Sequence, residues 1–265
     1  MDGTPLGEYL RARRALVHPE DVGLPVTRHR RVAGLRRDEV ALVAGISADY
    51  YLRLEQGRER HPSHQVLGAI ARALLLDVEA SAYLQRIALP AEVSAGHGRI
   101  DAVSAQRLLD PWAHAAAIVI NPTLDVVAAT ELAKAVSPTA FVAGANLVIS
   151  VFDPSTRAFA PGWEQLASDT VAALRSSGDP SDPRLSELVS SLRDDEDFLR
   201  LWARHDVRAF TSGTNMHYID GYGSIELKRQ NFAIPGYPGY LLVTSYGEPG
   251  SAEERALSSL ARVDA

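Results

Sequence analysis

The sequence predicts two folded domains of different class, an all-α domain at the N-terminal side and an α+β domain behind it. Three observations carry this reading. Residues 34–57 (GLRRDEVALVAGISADYYLRLEQG) have the spacing of two short helices hinged at one glycine. The rest of residues 1–90 repeats helical periodicity behind capping residues, whereas residues 116–128 and 215–245 hold β-branched runs broken by Gly and Pro. Residues 91–100 (AEVSAGHGRI) have few large apolar side chains and read as a linker, so the domains are expected at 1–90 and 101–265.

The bulk numbers set bounds. A chain of 265 residues can bury two cores, and 46% hydrophobic with 23% charged residues is ordinary for a globular protein. Cysteine is absent, which excludes disulfides, thiolate chemistry and Cys-based zinc sites. No charged-then-apolar leader opens the sequence, and no run approaches the roughly 18 apolar residues of a membrane span, so a cytoplasmic protein with no membrane partner is expected. The net charge of −6 divides unevenly: residues 1–90 hold 13 Arg and no Lys against 11 acidic residues, for a net of +2. The remainder carries −8. A mildly basic head on an acidic body suits a head that meets phosphates and a body that does not.

Leu6–Leu16 reads as the first helix, stopped at His18-Pro19, and the segment to Gly34 reads as a loop. Arg28, Arg30 and Arg31 in that loop are either phosphate contacts or plain solvated residues. In the next helix Val40, Ala41 and Val43-Ala44 supply the apolar face. Gly45 falls where a tight turn needs φ > 0, and Ser47 is placed to cap the following helix. There Tyr51, Leu52 and Leu54 form the apolar side, leaving Ala48, Asp49, Tyr50 and Arg53 outside. This is the spacing of a helix-turn-helix, whose second helix enters the major groove of double-stranded DNA. A plain αα-hairpin in a helical core has similar spacing. Ser47, the closing Leu54-Glu55-Gln56-Gly57 and the Arg-rich approach favour DNA binding.

On that reading Ala48, Asp49, Tyr50 and Arg53 lie nearest the base edges, with Ala48 or Tyr50 offering apolar contact to a thymine methyl. Asp49, repelled by phosphate, either accepts from a cytosine amino group or pairs with Arg53. Arg36 and Arg37 are expected on phosphates, as are Ser47 and the free N–H groups of its helix, and Arg58 completes the DNA-contacting set. One such head has a modest footprint, so a homodimer on an inverted repeat is expected. Beyond Gly57, Ser63 caps a helix over Ser63–Leu75 and Asp77 begins another through Ile87. His61 and His64 have the spacing of a metal pair, but nothing nearby completes a site, so no metal is expected.

Five helices with the helix-turn-helix as the second and third resemble the phage-repressor or XRE class of DNA-binding domain. The likeness is closer still in Gly23-Leu24-Pro25, Gly34-Leu35-Arg36-Arg37-Asp38-Glu39-Val40-Ala41, Ala44-Gly45-Ile46-Ser47, Asp49-Tyr50-Tyr51 and Arg53-Leu54-Glu55-Gln56-Gly57-Arg58. These residues resemble one bacterial subfamily, in which an MmyB-like ligand-binding domain follows the DNA-binding head.

In the body, Val103–Asp110 reads as a helix, Ala116–Ile120 as a buried strand and Leu124–Ala128 as its antiparallel partner across Asn121-Pro122-Thr123. Glu131–Val136 reads as a short helix, and Asn146–Val151 as a strand or a buried helix, which periodicity cannot separate. Helices follow at Pro161–Arg175, Pro183–Leu192 and Asp195–His205, then strands at Asn215–Ile219, Ser224–Phe232 and Gly239–Ser245, and a Ser251-capped helix to about Arg262. The MmyB-like resemblance extends over most of residues 105–260. It rests on Leu108-Leu109-Asp110, Asn146-Leu147, Phe152-Asp153-Pro154 with Arg157, Trp163-Glu164, Leu201–Arg208 and Glu248-Pro249-Gly250-Ser251, with Trp202-x-x-His205-x-Val207 as its most specific part. The resemblance implies a PAS-like sheet with helices over one face, and between them a pocket for a small, apolar, fatty-acid-like ligand. Three positions depart from it: Ala129-Thr130 where Trp-Asn is usual, Ile219-Asp220 where His-Pro is usual, and Arg229 where a Tyr is usual.

Trp202, His205, Arg208 and Arg229 are the expected ligand contacts. No Walker A loop, GxGxxG, GxSxG or HExxH is present, and no cofactor is expected. Adjacent helical positions point about 100° apart, so Arg204, His205 and Asp206 cannot converge as an acid/base cluster without help from elsewhere. The plain role for His205 and Trp202 is to lock their helix onto the sheet. The sequence thus points to a ligand-controlled transcriptional regulator, a repressor or autoregulator, rather than an enzyme. Two alternatives stay open: a body serving only dimerisation or protein contact, and an enzyme body working around His205.

Overall fold

The computed structural model describes residues 4–25, 30, 32–59, 61–89, 98–219 and 221–263. Arg28, Arg31 and most of the expected linker lie outside the described residues. The chain divides into two compact units, residues 1–94 with 200–208, and residues 95–199 with 209–265.

The first unit is built on α1 (Pro5–Leu16), α2 (Arg37–Ala44), α3 (Ala48–Glu55), α4 (His64–Ala73) and α5 (Val78–Ala88). Short polar side chains start four of these helices by accepting from an otherwise free backbone N–H: Thr4 from Gly7, Ser47 from Tyr50, Ser63 from Val66 and Asp77 from Ala80. Helix α2 has Arg36 at its cap, and the Glu39 carboxylate reaches back instead to accept the Arg36 N–H at 2.6 Å. Gly45 takes φ +67° between α2 and α3, and its N–H closes the helix on Leu42 O at 3.2 Å. The fully buried Tyr9, Leu10, Leu35, Val40, Tyr51, Leu54, Leu67, Ile70, Leu74 and Leu84 form the core. The Tyr9 hydroxyl donates to Ala80 O at 3.2 Å, so the ring is buried without stranding its polar end. At Gly7 a Cβ would stand 2.2 Å from Glu55 O, which is why α1 can lie directly on the end of α3.

Two local expectations change. The segment after α1 contains a 3-10 turn at Pro19–Val22, closed by Asp21 accepting the His18 N–H at 2.8 Å. Val43 is exposed rather than on the apolar face, which Val40 and Ala41 supply with the partly buried Ala44. Residues 200–208 also pack within this helical unit. Val207 joins its core, Arg13 Nη1 lies 3.0 Å from Asp206 Oδ1, and the Tyr9 and His205 rings are 6.3 Å apart. His205 itself sits in the left-handed region at φ +53°. The His205 ring, expected to lock this segment onto the sheet, thus lies beside Tyr9 of α1.

The second unit contains α6 (Ala102–Leu109), β1 (Ala116–Ile120), β2 (Val126–Ala129), α7 (Glu131–Val136), α8 (Leu147–Phe152), α9 (Pro154–Phe159), α10 (Trp163–Ser177) and α11 (Pro183–Ser191). It continues with α12 (Glu196–Ala203), whose residues 200–203 are counted with the first unit, then β3 (Gly213–Ile219), β4 (Gly223–Ala233), β5 (Leu241–Tyr246) and α13 (Ala252–Val263). The strands form one antiparallel sheet in the order β2-β1-β5-β4-β3. Ala117, Val119 and Leu242 on one face form a core with Ala105 and Leu109 of α6. Alternation puts Ile118, Ile120, Val243, Ile225 and Leu227 on the other.

The open choice at residues 146–151 falls to helix, because Asn146 Oδ1 accepts from the N–H groups of Val148 at 2.9 Å and Ile149 at 3.3 Å. Helix α9 was not expected; Asp153 caps it and Pro154 fits its first turn. Strand β2 starts later than predicted because Leu124 stands at φ +61°, outside extended geometry.

The turn between β1 and β2 is held by Asp125. Its carboxylate accepts from Arg184 Nη2 at 2.7 Å, Thr123 Oγ1 at 2.8 Å, Asn146 Nδ2 at 2.9 Å, and Asn121 Nδ2 and Arg184 Nε at 3.1 Å. Burial alone would raise its pKa, but these donors win and hold it at about 2, against an ordinary 3.8. A carboxylate depressed on folding stabilises the fold above its unfolded pKa, and that contribution fades as the pH falls from about 4 toward 2. We expect Asp125→Asn to cost about 2 kcal/mol at pH 7 and to lose much less stability than wild type between pH 4 and 2, as read by urea unfolding at stepped pH.

Candidate functional site

Helix α3 presents an ordered polar face. Ala48 and Asp49 are exposed, and Tyr50 and Arg53 half-buried. Arg53 Nη1 pairs with the Asp49 carboxylate one turn back, and its guanidinium carbon lies 5.6 Å from the centre of the Tyr50 ring. The expected Asp49–Arg53 pairing is thus present, and the long Arg53 side chain is held along the helix. Burial raises the Tyr50 pKa, so its phenol stays a neutral donor and acceptor. Ser47 caps the start of this face, and the exposed Arg58 follows it, its N–H donating to Arg53 O at 2.9 Å beyond Gly57 at φ +68°.

The flanking arginines separate into two kinds. Arg36 is exposed, and among the described residues no carboxylate forms an ion pair with it. Arg37 instead directs Nε at Glu55 Oε2, 2.6 Å away, while Arg14 Nε meets Glu55 Oε1 at 2.7 Å. Arg37 keeps 49% of its side-chain exposure, so its remaining N–H groups still reach solvent. Arg30 is committed within the unit: both its terminal nitrogens lie 2.6 Å from the Glu39 carboxylate, and Nη2 also donates to Gly34 O at 2.5 Å. Arg30's hydrogen bonds outweigh desolvation and hold Glu39 down at about 2. Of the three loop arginines, the one described here is a brace under α2.

The expected ligand residues are divided between the two units. Trp202, His205 and Arg208 belong to the helical unit, whereas Arg229 belongs to the sheet unit. Around Arg229 the structure gathers residues that the motifs did not single out. Arg229 Nη1 donates to Asn215 Oδ1 at 3.1 Å, Nη2 donates to Thr211 O at 2.8 Å, and the guanidinium lies 4.2 Å over the Phe210 ring. Asn231 donates through Nδ2 to Phe210 O, and its backbone N–H donates to Ser212 Oγ at 3.2 Å. The His217 ring packs 5.3 Å from Phe141; burial, helped by the Arg229 charge, pushes its pKa down to about 4, leaving it neutral at pH 7. The available signal was the strand parity: Asn215 and His217 in one strand, and Arg229 and Asn231 in the next, are polar residues at alternate positions facing one way.

Among the described residues, no group of three His, Asp or Glu side chains is disposed to hold a metal ion, and no helix is long and apolar enough to cross a membrane. A comparison with curated proteins finds no match. Two family models do match: a helix-turn-helix domain over residues 5–84, and the MmyB-like transcription regulator ligand binding domain over residues 103–260. The first covers α1 to α5 almost completely, and the second runs from α6 into α13. Together they make the chain a DNA-binding transcription regulator with a ligand-binding domain. Because the second match spans more than half of its length, the chain belongs to the family of MmyB-like transcription regulators.

Proposed function

We propose that the chain acts in the cytoplasm as a homodimeric repressor or autoregulator, in which a small apolar, fatty-acid-like molecule bound in the sheet unit controls affinity for an inverted-repeat operator. The observation that carries the DNA half is the set Ala48, Asp49, Tyr50 and Arg53, exposed or half-exposed on a capped helix, with Arg53 held by Asp49 and Tyr50. In this reading α3 lies in the major groove, with these four side chains at base edges. Arg36, Arg58, the free N–H groups of Arg37 and the Ser47 end of α3 meet phosphates. Asp49 then has two states: it holds Arg53 off DNA and accepts from a cytosine amino group on it. Five helices with the reading pair as the second and third suit a phage-repressor-like head, and the order β2-β1-β5-β4-β3 suits a PAS-like body.

The ligand acts through differential affinity: it favours the head spacing that fits two half-sites, or the one that does not. The body is read as a binding module, not a catalyst. The test is operator selection from random duplexes, followed by binding of single variants. Arg53→Ala is expected to lose about 1–3 kcal/mol and to relax preference at one base step per half-site. Arg58→Ala is expected to weaken all duplexes alike and to flatten the salt dependence. Equal losses on all sequences for both variants would remove α3 from the groove. Selected sites without two-fold repetition would remove the dimer.

A further inference from the structure

The sheet face around Arg229 combines three polar atoms that find no partner among the described residues. Arg229 Nε, His217 Nε2 and Asn231 Oδ1 are each shut off from solvent and hydrogen-bonded to nothing among the described residues. They belong to one surface: Gly213 pairs with Arg229 and Arg229 with Ser245, so Asn215, His217, Arg229 and Asn231 all project from the same side of β3 and β4. The apolar Leu227 and Ile225 share that side.

The chemistry of the three atoms is specific. Arg229 is a cation, and among the described residues no carboxylate is in contact with it. Each terminal nitrogen makes one hydrogen bond, to the neutral oxygens of Asn215 and Thr211, and the Phe210 ring lies against the guanidinium. Desolvation lowers its pKa, opposed only by the more distant Asp169. His217 is neutral beside it and brings no compensating charge. A desolvated guanidinium with a spare N–H is costly until an anion arrives, and a planar carboxylate fits it. Asn231 Oδ1 is an acceptor, so it asks the same ligand for a donor. Arg229 and Asn231 are two residues apart on one strand face, their Cα atoms roughly 7 Å apart, so a single ligand head that carries an acid and a nearby donor suits both. An amine in that place would bring a second cation against Arg229, whereas a hydroxyl would not.

We infer that this face receives the head of a 2-hydroxycarboxylic acid: the carboxylate on Arg229 Nε, the hydroxyl donating to Asn231 Oδ1, and neutral His217 completing the shell. The inference rests on the reading that the sheet unit holds a small apolar ligand, and it names that ligand's polar end.

The test uses the full chain with three probes of equal chain length, 2-hydroxyoctanoate, octanoate and octan-1-ol, measured by calorimetric titration and by operator binding. Wild type is expected to bind them in that order, with the hydroxy acid at least tenfold tighter than the alcohol. Arg229→Met is expected to abolish the advantage of both acids over the alcohol. Asn231→Ala, which leaves the charge in place, is expected to abolish only the advantage of the hydroxy acid over octanoate. Wild-type affinities that rank otherwise, no binding of the hydroxy acid to wild type, or acids that bind Arg229→Met as well as wild type would each overturn the inference. Should all three probes bind equally and shift operator affinity, the inference fails while ligand control stands. Should the hydroxy acid bind through Arg229 without changing operator affinity, the inference stands and ligand control fails.

Discussion

Glu55→Ala is expected to destabilise the helical unit by about 3 kcal/mol and to abolish operator binding at temperatures where wild type is still folded. Glu55 is only 2% exposed and ends the helix read as entering DNA, with Arg14 on one carboxylate oxygen and Arg37 on the other. Arg14 also donates to Leu35 O at 2.8 Å, so α1, the chain before α2 and α3 meet at this carboxylate. Its removal leaves Arg14, 15% exposed, as a charge without its anion. Arg37 escapes that penalty because it reaches water. Glu55→Gln keeps the shape and one acceptor, and should lose about half as much. Thermal unfolding by circular dichroism separates the cases; a change below about 0.5 kcal/mol for Glu55→Ala would show that the network carries no net stability.

Phe198→Ala is expected to cost the sheet unit about 3–5 kcal/mol, the range for emptying a buried phenyl site. Phe198 is completely buried, its ring edge-on to Phe152 at 5.5 Å, and Phe152 in turn is edge-on to Trp163 at 5.6 Å. The Trp163 indole N–H donates to Val151 O at 2.7 Å, which fixes that ring and limits how far the neighbours can collapse into the space. The adjacent Leu199, 46% exposed, is the control: Leu199→Ala should stay within about 0.5 kcal/mol. Urea unfolding followed by tryptophan fluorescence reads both, and similar values for the two would contradict this packing.

Much of the helical unit was legible because its signals are local. Ser47, Ser63 and Asp77 announce helix starts that the structure keeps, Gly45 announces the turn, and the exposed set of α3 follows from where Tyr51 and Leu54 must point. What stayed hidden was the pairing of charges across long separations. Nothing around Arg37 says that its nearest anion is Glu55, and Arg30 reads as a free loop cation until Glu39 folds back under it. In the sheet unit the strands and most helices were legible from β-branched runs and amphipathic spacing. The helical fate of residues 147–152 depended on one Asn146 side chain, and the late start of β2 on one left-handed Leu124. Residues 200–208 were the largest change: their motif was plain, but the surface they pack against is a tertiary fact, set by Arg13 and Tyr9 far back in the sequence.

The order of strands also dictates a timetable. Residues 116–120 sit at the interior of the sheet, buried on both faces, yet one of their two hydrogen-bonding edges waits for residues 241–246, which the ribosome delivers only after every intervening helix and strand. Until then Ala-Ala-Ile-Val-Ile is an uncharged, β-prone segment with an open edge, the kind that seeds pairing between nascent chains. The helical unit, whose elements through α5 lie in residues 5–88, has no such wait for those helices. Slow translation between β1 and β5 is thus expected to lower soluble yield, and chains released before residue 241 are expected to collect in aggregates with their reading heads already folded.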